Sequence, residues 1–264
     1  MQYQGQQNKT PRRSNRERPH LQPPKNGILS PNKLRSLNIM KLQNKHSTEL
    51  PGLSIKQNRS KKTYDALIRT GFQLLKKREF DSVTVAELSQ SAGYSVGAFY
   101  ARFRSKDEFF DAMVTHHLMD RKAFIDHLFS TLRSDGLIDE LIKDMVHYFW
   151  INHKFWRAAL VRSMRDREFW APIRQSGHEL ADKVVARLSE QAKRPLTDLE
   201  ETNVRFAFQI TFGTINNTII NKPGPIFMNQ ELFVEKLTRA FRLVADYDNI
   251  TKKKPSRKRK ELNT

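Results

Sequence analysis

Residues 84–108 read TVAELSQSAGYSVGAFYARFRSKDE, and the spacing of capping and apolar residues in this stretch decides the fold. Thr84 followed three residues later by Glu87 is a capping box: the threonine oxygen takes one orphan amide at a helix start and the glutamate returns to the other. Gly93, lacking a Cβ, suits the left-handed residue just past a helix end. Ser95 then caps a further helix, in which Phe99 and Phe103 lie four apart and face inward toward Leu88 and the preceding helix. Two helices of about nine and eight residues, joined by the tight Gly93-Tyr94 turn, make a helix-turn-helix, whose second helix is built to enter a DNA major groove.

Outward from that motif, apolar spacings of three and four recur and no useful length alternates with period two, so the body reads as helix. A first helix is expected from about 59 to 77, burying Tyr64, Leu67, Ile68, Gly71, Leu74 and Leu75. A second capping box, Ser105 to Glu108, opens a long fourth helix carrying Phe109, Phe110, Met113, Val114, Leu118, Ile125, Leu128 and Leu132. Further helices are expected at about 137–153, 154–164, 171–192, 198–221 and 229–246, broken by Gly136, Pro172, Pro195 and Pro223-Gly224-Pro225. The fold class is all-α, a three-helix helix-turn-helix domain followed by a C-terminal helical bundle. The expected divisions are a polar, proline-rich tail at 1–54, the helix-turn-helix at 55–106, the bundle at 107–250 and a basic tail at 251–264. The N-terminal tail is too polar to repay its ordering entropy and is expected to be disordered, and the C-terminal charge run reads as a solvated tail, with sequence-independent phosphate contact as the alternative.

The net charge of +19 is uneven: residues 1–60 carry +10, residues 251–264 carry +6, and only +3 remains for the 190 residues between. Such an excess points to a polyanion, because basic side chains release condensed counterions when they neutralise phosphates. There is no cysteine, which removes disulfides, thiolate metal sites and cysteine nucleophiles from consideration. No apolar run is long enough for a signal or a membrane span, so a cytoplasmic, nucleoid-associated protein is expected. The eight histidines show neither the four-residue helical spacing nor the acidic neighbours of a metal site, and no phosphate loop or nucleophile elbow occurs. No catalysis, cofactor or metal is expected.

With Phe99 and Phe103 turned inward, Ala98, Tyr100, Ala101 and Arg102 are left to point elsewhere. The small residues Gly97 and Ala98 let a helix sit close to base edges, and serve tight packing equally well. Tyr100 can donate to a phosphate, and Arg102 can fork onto guanine, clamp a phosphate or remain a surface arginine. Val96 either extends the core stripe or touches a thymine methyl. Lys106 at the start of the fourth helix, and Thr84 at the start of the second, sit where free amides can hold a phosphate.

The stretch from Lys61 to Met113, KKTYDALIRTGFQLLKKREFDSVTVAELSQSAGYSVGAFYARFRSKDEFFDAM, resembles the DNA-binding domain of the TetR/AcrR family. The first helix, TVAEL, AGYS, GAFY and FRSKDE occur in order at the family's spacing. The resemblance implies a bacterial, cytoplasmic homodimer that binds a palindromic operator in double-stranded DNA, usually as a repressor released by a small-molecule effector. It places DNA contacts on Ser95, Val96, Gly97, Ala98, Tyr100, Ala101 and Arg102, a phosphate-holding lysine at Lys106, and less regular backbone contacts at Ser60 and Thr84. Ala101, Arg102 and Val96 depart from the residues the family often has there, so no relative's operator can be borrowed.

Beyond residue 120 the resemblance is architectural only. The segment VRFAFQITFGTINNTII carries one stripe of Val204, Phe208, Phe212, Ile215 and Ile219 and another of Phe206, Ile210 and Gly213, so burial on two sides is expected. Phe208, Phe212, Ile215 and Ile219, with Phe233, Leu237 and Phe241 of the final helix, are expected at a four-helix dimer interface, as the resemblance also suggests, with burial inside the monomer alone as the alternative. Aromatics and arginines crowd residues 148–170, and Phe149, Trp150, Trp156, Arg157 and Trp170 are candidates for an apolar pocket with cationic groups; ordinary core packing accounts for the same residues. The rival to a ligand-released regulator is a constitutive or architectural DNA-binding protein that uses its basic tails.

Overall fold

The computed structural model describes residues 55–131 and 136–252. Among them every regular element is a helix: α1 (Ile55–Leu75), α2 (Val85–Ser91), α3 (Val96–Tyr100), α4 (Lys106–Thr131), α5 (Leu137–Ile151), α6 (His153–Arg165), α7 (Ala171–Ala192), α8 (Asp198–Asn221), α9 (Glu231–Val244) and α10 (Tyr247–Thr251). Single 3-10 turns at Phe80–Ser82 and Glu168–Trp170 lead into α2 and α7. The first falls in the turn that the spacing puts at about 78–83; the second turn and the short α10 are not marked by apolar periodicity, which needs more than five residues to register. Residues 1–54, where disorder is expected, and 253–264, most of the basic C-terminal tail, lie outside the described residues, and Thr251 is still helical.

The α1–α4 layer is held by aromatic packing. Phe99, Phe103 and Phe109 form a triangle with ring centroids 5.1–5.5 Å apart, and Tyr64 of α1 lies 5.4 Å from Phe103. Leu67, Ile68, Leu75 and Leu88 are buried around it. Gly71 lets α1 approach α4: a Cβ there would stand 2.8 Å from Phe109 Cζ and 2.9 Å from Met113 Sδ. Gly93 adopts φ +79°, and Tyr94 N donates to Ser89 O while Gly93 N donates to Gln90 O, the paired bonds of a Schellman end.

The expected capping boxes form by halves. Thr84 Oγ1 accepts from Glu87 N at 3.1 Å, but the Glu87 carboxylate turns away to pair with Arg78, which locks the 78–82 turn onto α2. Ser105 Oγ accepts from Glu108 N, while the Glu108 carboxylate takes the amide of Arg104 in place of the cap residue's own. A complete box closes instead at Thr197 and Glu200, the start of α8. Its Arg194 and Thr197 partners hold the Glu200 carboxyl down at about 2.

In the C-terminal bundle α9 packs on α8 and α5, α7 on α8, and α6 against α8 and α1. The residues expected at a subunit interface are packed within the single protomer. Phe208, Ile215, Ile219, Phe233, Leu237 and Phe241 are buried inside the protomer, and Phe212 is half-buried in a cavity wall. The cause is that α9 covers α5 while α8 packs on α9, α7 and α6, and the continuous stripe is what fits that core. The second stripe is the more exposed one: Phe206 and Gly213 are exposed where they line the cavity described below, Ile210 is half-buried, and Leu199, Leu232 and Leu243 add exposed apolar surface.

Replacing Gly71 by valine forces two methyls into Phe109 and Met113. The expected result is a loss of about 1–3 kcal/mol, the usual cost of overpacking, read as a lower urea midpoint. A midpoint at or above that of the parent chain would contradict the packing described.

Candidate nucleic-acid interface

The helix-turn-helix presents one face outward. Phe99 is fully buried, so its neighbours on the opposite side of α3 are turned to solvent: Val96 is 41% and Tyr100 54% exposed, with Gly97 and Ala101 beside them. That exposure removes Val96 from the core stripe. α3 proper has five residues, fewer than the spacing predicted, and continues as a turn in which Arg102 N and Phe103 N both donate to Phe99 O. Ser95 Oγ accepts from Ala98 N at 3.1 Å, so this hydroxyl is occupied in fixing the start of α3.

Arg102 is gathered in. Its Nη1 donates to Ala98 O at 2.8 Å and its Nε to Ser60 O at 3.2 Å, a bond that spans from α3 to the start of α1. Ser60, Ala98 and Arg102 are therefore brought together, with Nε and Nη1 of the guanidinium engaged on backbone carbonyls. Lys106 is similarly engaged: Nζ donates to Phe80 O at 2.7 Å and Asp81 O at 3.3 Å and sits 4.4 Å over the Phe80 ring. Burial pushes its pKa below the usual lysine value, against the opposing pull of Asp81 and Asp107. Thr84 is exposed at the start of α2. Exposed Lys61 and Arg104 add positive charge near this edge.

Residues 67–113 match the profile of the bacterial regulatory proteins of the tetR family. The matched stretch holds the helix-turn-helix, so this region is similar to the DNA-binding domain of tetR-family regulators. A relative, the HTH-type transcriptional regulator YwcC of Bacillus subtilis (strain 168), is 34% identical over 100 residues, covering 36% of this chain. That match spans 45% of the relative, less than half its length. Among solved structures, a protein of Mesorhizobium loti described as a TetR-family transcriptional regulator superposes over 73% of this chain and 98% of its own, with TM-score 0.56 at 14% identity. GusR of Salmonella enterica covers 70% of this chain and 95% of its own, with TM-score 0.51 at 15% identity. At such identities the two share the fold.

In this TetR-like fold α4 and α6 tie the helix-turn-helix to the bundle. Arg162 of α6 pairs with Asp107 at 2.8 Å and Asp111 at 3.0 Å on α4, and Lys154 Nζ donates to Lys77 O at the end of α1. Phe155 of α6 lies 5.4 Å from both Phe72 of α1 and Phe110 of α4. None of these contacts was legible in the sequence, because each joins residues at least 45 apart with no local pattern.

The same two helices wall a cavity of about 990 Å³, at the top of the ~300–1,000 Å³ usual for ligand sites. Phe149, Trp156 and Trp170 line it, as expected, together with Tyr148, Phe208 and Phe212. Trp150 and Arg157 do not. Each follows a wall residue by one position, about 100° round the helix, so both face out; Trp150 stacks on His153 at 5.4 Å and Arg157 is exposed. Among the described residues no group of three or more His, Asp or Glu is placed to hold a metal, and no helix is long and apolar enough to cross a membrane.

His117 was overlooked, although it falls on the buried stripe of Met113 and Val114 on α4. It is buried among Phe72, Phe155 and Trp156, and its Nδ1 shares a 3.1 Å hydrogen bond with Tyr148 Oη. Burial, with Arg121 adding to it, pushes its pKa down to about 3, so the imidazole is neutral. In the unfolded chain it titrates near pH 6.5. Below that pH the unfolded state takes up a proton the folded state refuses. Stability is therefore undiminished above about pH 6.5 and falls as pH drops toward 3, by up to about 1.4 kcal/mol per unit. His117→Gln removes the titrating group, and a flatter decline of Tm between pH 6.5 and 4 is expected; a slope equal to the parent's would show that His117 is not its source.

Proposed function

We propose that the protein is a transcription regulator that binds a palindromic operator as a homodimer and lets it go when a small molecule fills the cavity. The observation that carries this reading is the outward Val96–Tyr100 face of α3, fixed on a core that shares α4 and α6 with the cavity. Tyr100, Val96, Gly97, Ala98 and Ala101 are the groups offered to base edges and the adjoining backbone. Ser60, Thr84, Ser95, Arg102 and Lys106 supply or steady phosphate contacts, with Arg102 able to reach a base once it releases Ala98 and Ser60. Two copies would meet through α8 and α9 along their outward apolar side chains, in the arrangement the family resemblance implies. Repression, through occupation of a promoter, is the simplest consequence of such binding.

The rival reading, a constitutive DNA-coating protein, draws support from the +10 and +6 of the chain ends. Selection of bound sequences from a random DNA pool at near-physiological salt separates the two. One palindrome with tenfold or greater preference, about 1.4 kcal/mol, supports the regulator; unselective binding with a steep salt slope supports coating. On the selected sequence, Tyr100→Ala is expected to cost about 1–3 kcal/mol while leaving random DNA little affected, and Lys106→Ala to weaken both alike. Fluorescence anisotropy reads each; equal losses for Tyr100→Ala on both DNAs would remove it from base reading.

A further inference from the structure

Arg121 of α4 is set in the cavity wall with its side chain 14% exposed. One edge is fixed: Nη2 donates to Asp144 Oδ2 of α5 at 2.6 Å. One face is fixed too, with the guanidinium carbon 4.3 Å from the Tyr148 ring and 5.0 Å from Phe124. Among the described residues the guanidinium makes no other hydrogen bond, so Nε and Nη1 keep their donors available. A planar fork held rigidly on one side and unsatisfied on the other is a preorganised receptor for two oxygens.

The charge of the wall agrees. Five cationic side chains line the cavity, and Glu179 is the one carboxylate among the lining residues. Lys183 and Arg205 are answered from outside by Asp126 and Asp182, and Lys122 lies 3.8 Å from Glu179. Arg174 has no carboxylate within ion-pairing distance among the described residues. A cation entering such a space meets repulsion, and an anion meets two arginines. The rest of the wall is apolar and aromatic over a volume far larger than one head group requires.

We infer that the cavity takes an elongated apolar molecule ending in an oxyanion, a carboxylate or a phosphate ester, with its head on the open edge of Arg121 and its body along Phe149, Trp156 and Phe212. This rests on the reading of the cavity as the effector site, and deepens it by naming the chemistry of the effector.

The test is direct binding to the full chain without DNA, followed through quenching of the tryptophans, two of whose three indoles line the cavity. Dodecanoate, dodecyl phosphate, dodecanol and dodecyltrimethylammonium are titrated below their micelle concentrations. Dodecanoate or dodecyl phosphate is expected to bind at least about tenfold more tightly than dodecanol, the loss usual for a charge-assisted pair, and the ammonium not to bind. The order of the two anions tells carboxylate from phosphate ester. The double variant R121Q/D144N, which leaves no unpaired buried charge, is expected to bind dodecanoate no better than dodecanol, and R121K to keep part of the preference. Equal affinity for dodecanol, binding of the ammonium, no binding of either anion, or an unaltered preference in the double variant overturns the inference. Tight anion binding that leaves a selected operator bound overturns release by effector and leaves the ligand class standing.

Discussion

A helix of five residues has no stability of its own: isolated helices shorter than ~12–15 residues are marginal in water because nucleation is costly. α3 exists because Phe99 is driven into the angle between α1 and α4, where Phe103 and Phe109 close round it and Gly71 allows the two long helices near enough to seal the contact. Everything the reading face presents is set by that one buried ring. With Phe99 fixed, Val96 and Tyr100 have nowhere to point but outward, and the Schellman end at Gly93 fixes the angle at which α2 delivers the chain to them.

The second organising element is α4. Its first turns hold Phe109, Phe110 and Met113 against the helix-turn-helix, and its middle turns place His117 and Arg121 in the cavity wall. α6 repeats the arrangement, with Phe155 against α1 and Trp156 against the cavity in adjacent positions. Adjacent residues on a helix diverge by about 100°, so one turn of α6 touches both compartments. The Arg162 pairs to Asp107 and Asp111 keep α6 registered on α4, partly exposed and therefore modest in energy, yet specific in geometry.

The fold was largely readable because helices announce themselves through period and caps. The bounds of α7 and α8 fell where Pro172, Pro195 and Thr197 put them, and α2 ended at its glycine. What period alone could not reveal was which of two apolar stripes on α8 faces home. Phe208, Ile215 and Ile219 look the same whether they meet their own bundle or a second subunit, and only the packing of α9 on α8 buries them at home. Trp150 and Arg157 failed for a related reason: a cluster in sequence is not a cluster in space when its members sit on neighbouring positions of one helix. At the DNA face the residue types were legible and their engagements were not. Arg102 and Lys106 are each turned onto backbone carbonyls far away in sequence, and the Glu87 carboxylate chose Arg78 over its cap.

The bond from Arg102 to the Ser60 carbonyl has a geometric corollary. Ser60 lies five residues, about 7.5 Å along the helix axis, from Ile55, so the chain arrives at the described fold beside α3. The basic stretch that precedes Ile55 in sequence therefore joins the described fold at the reading edge. Arg59 and Lys61, exposed at that end of α1, give the edge a fixed positive potential that decays over one Debye length, about 8 Å at physiological salt.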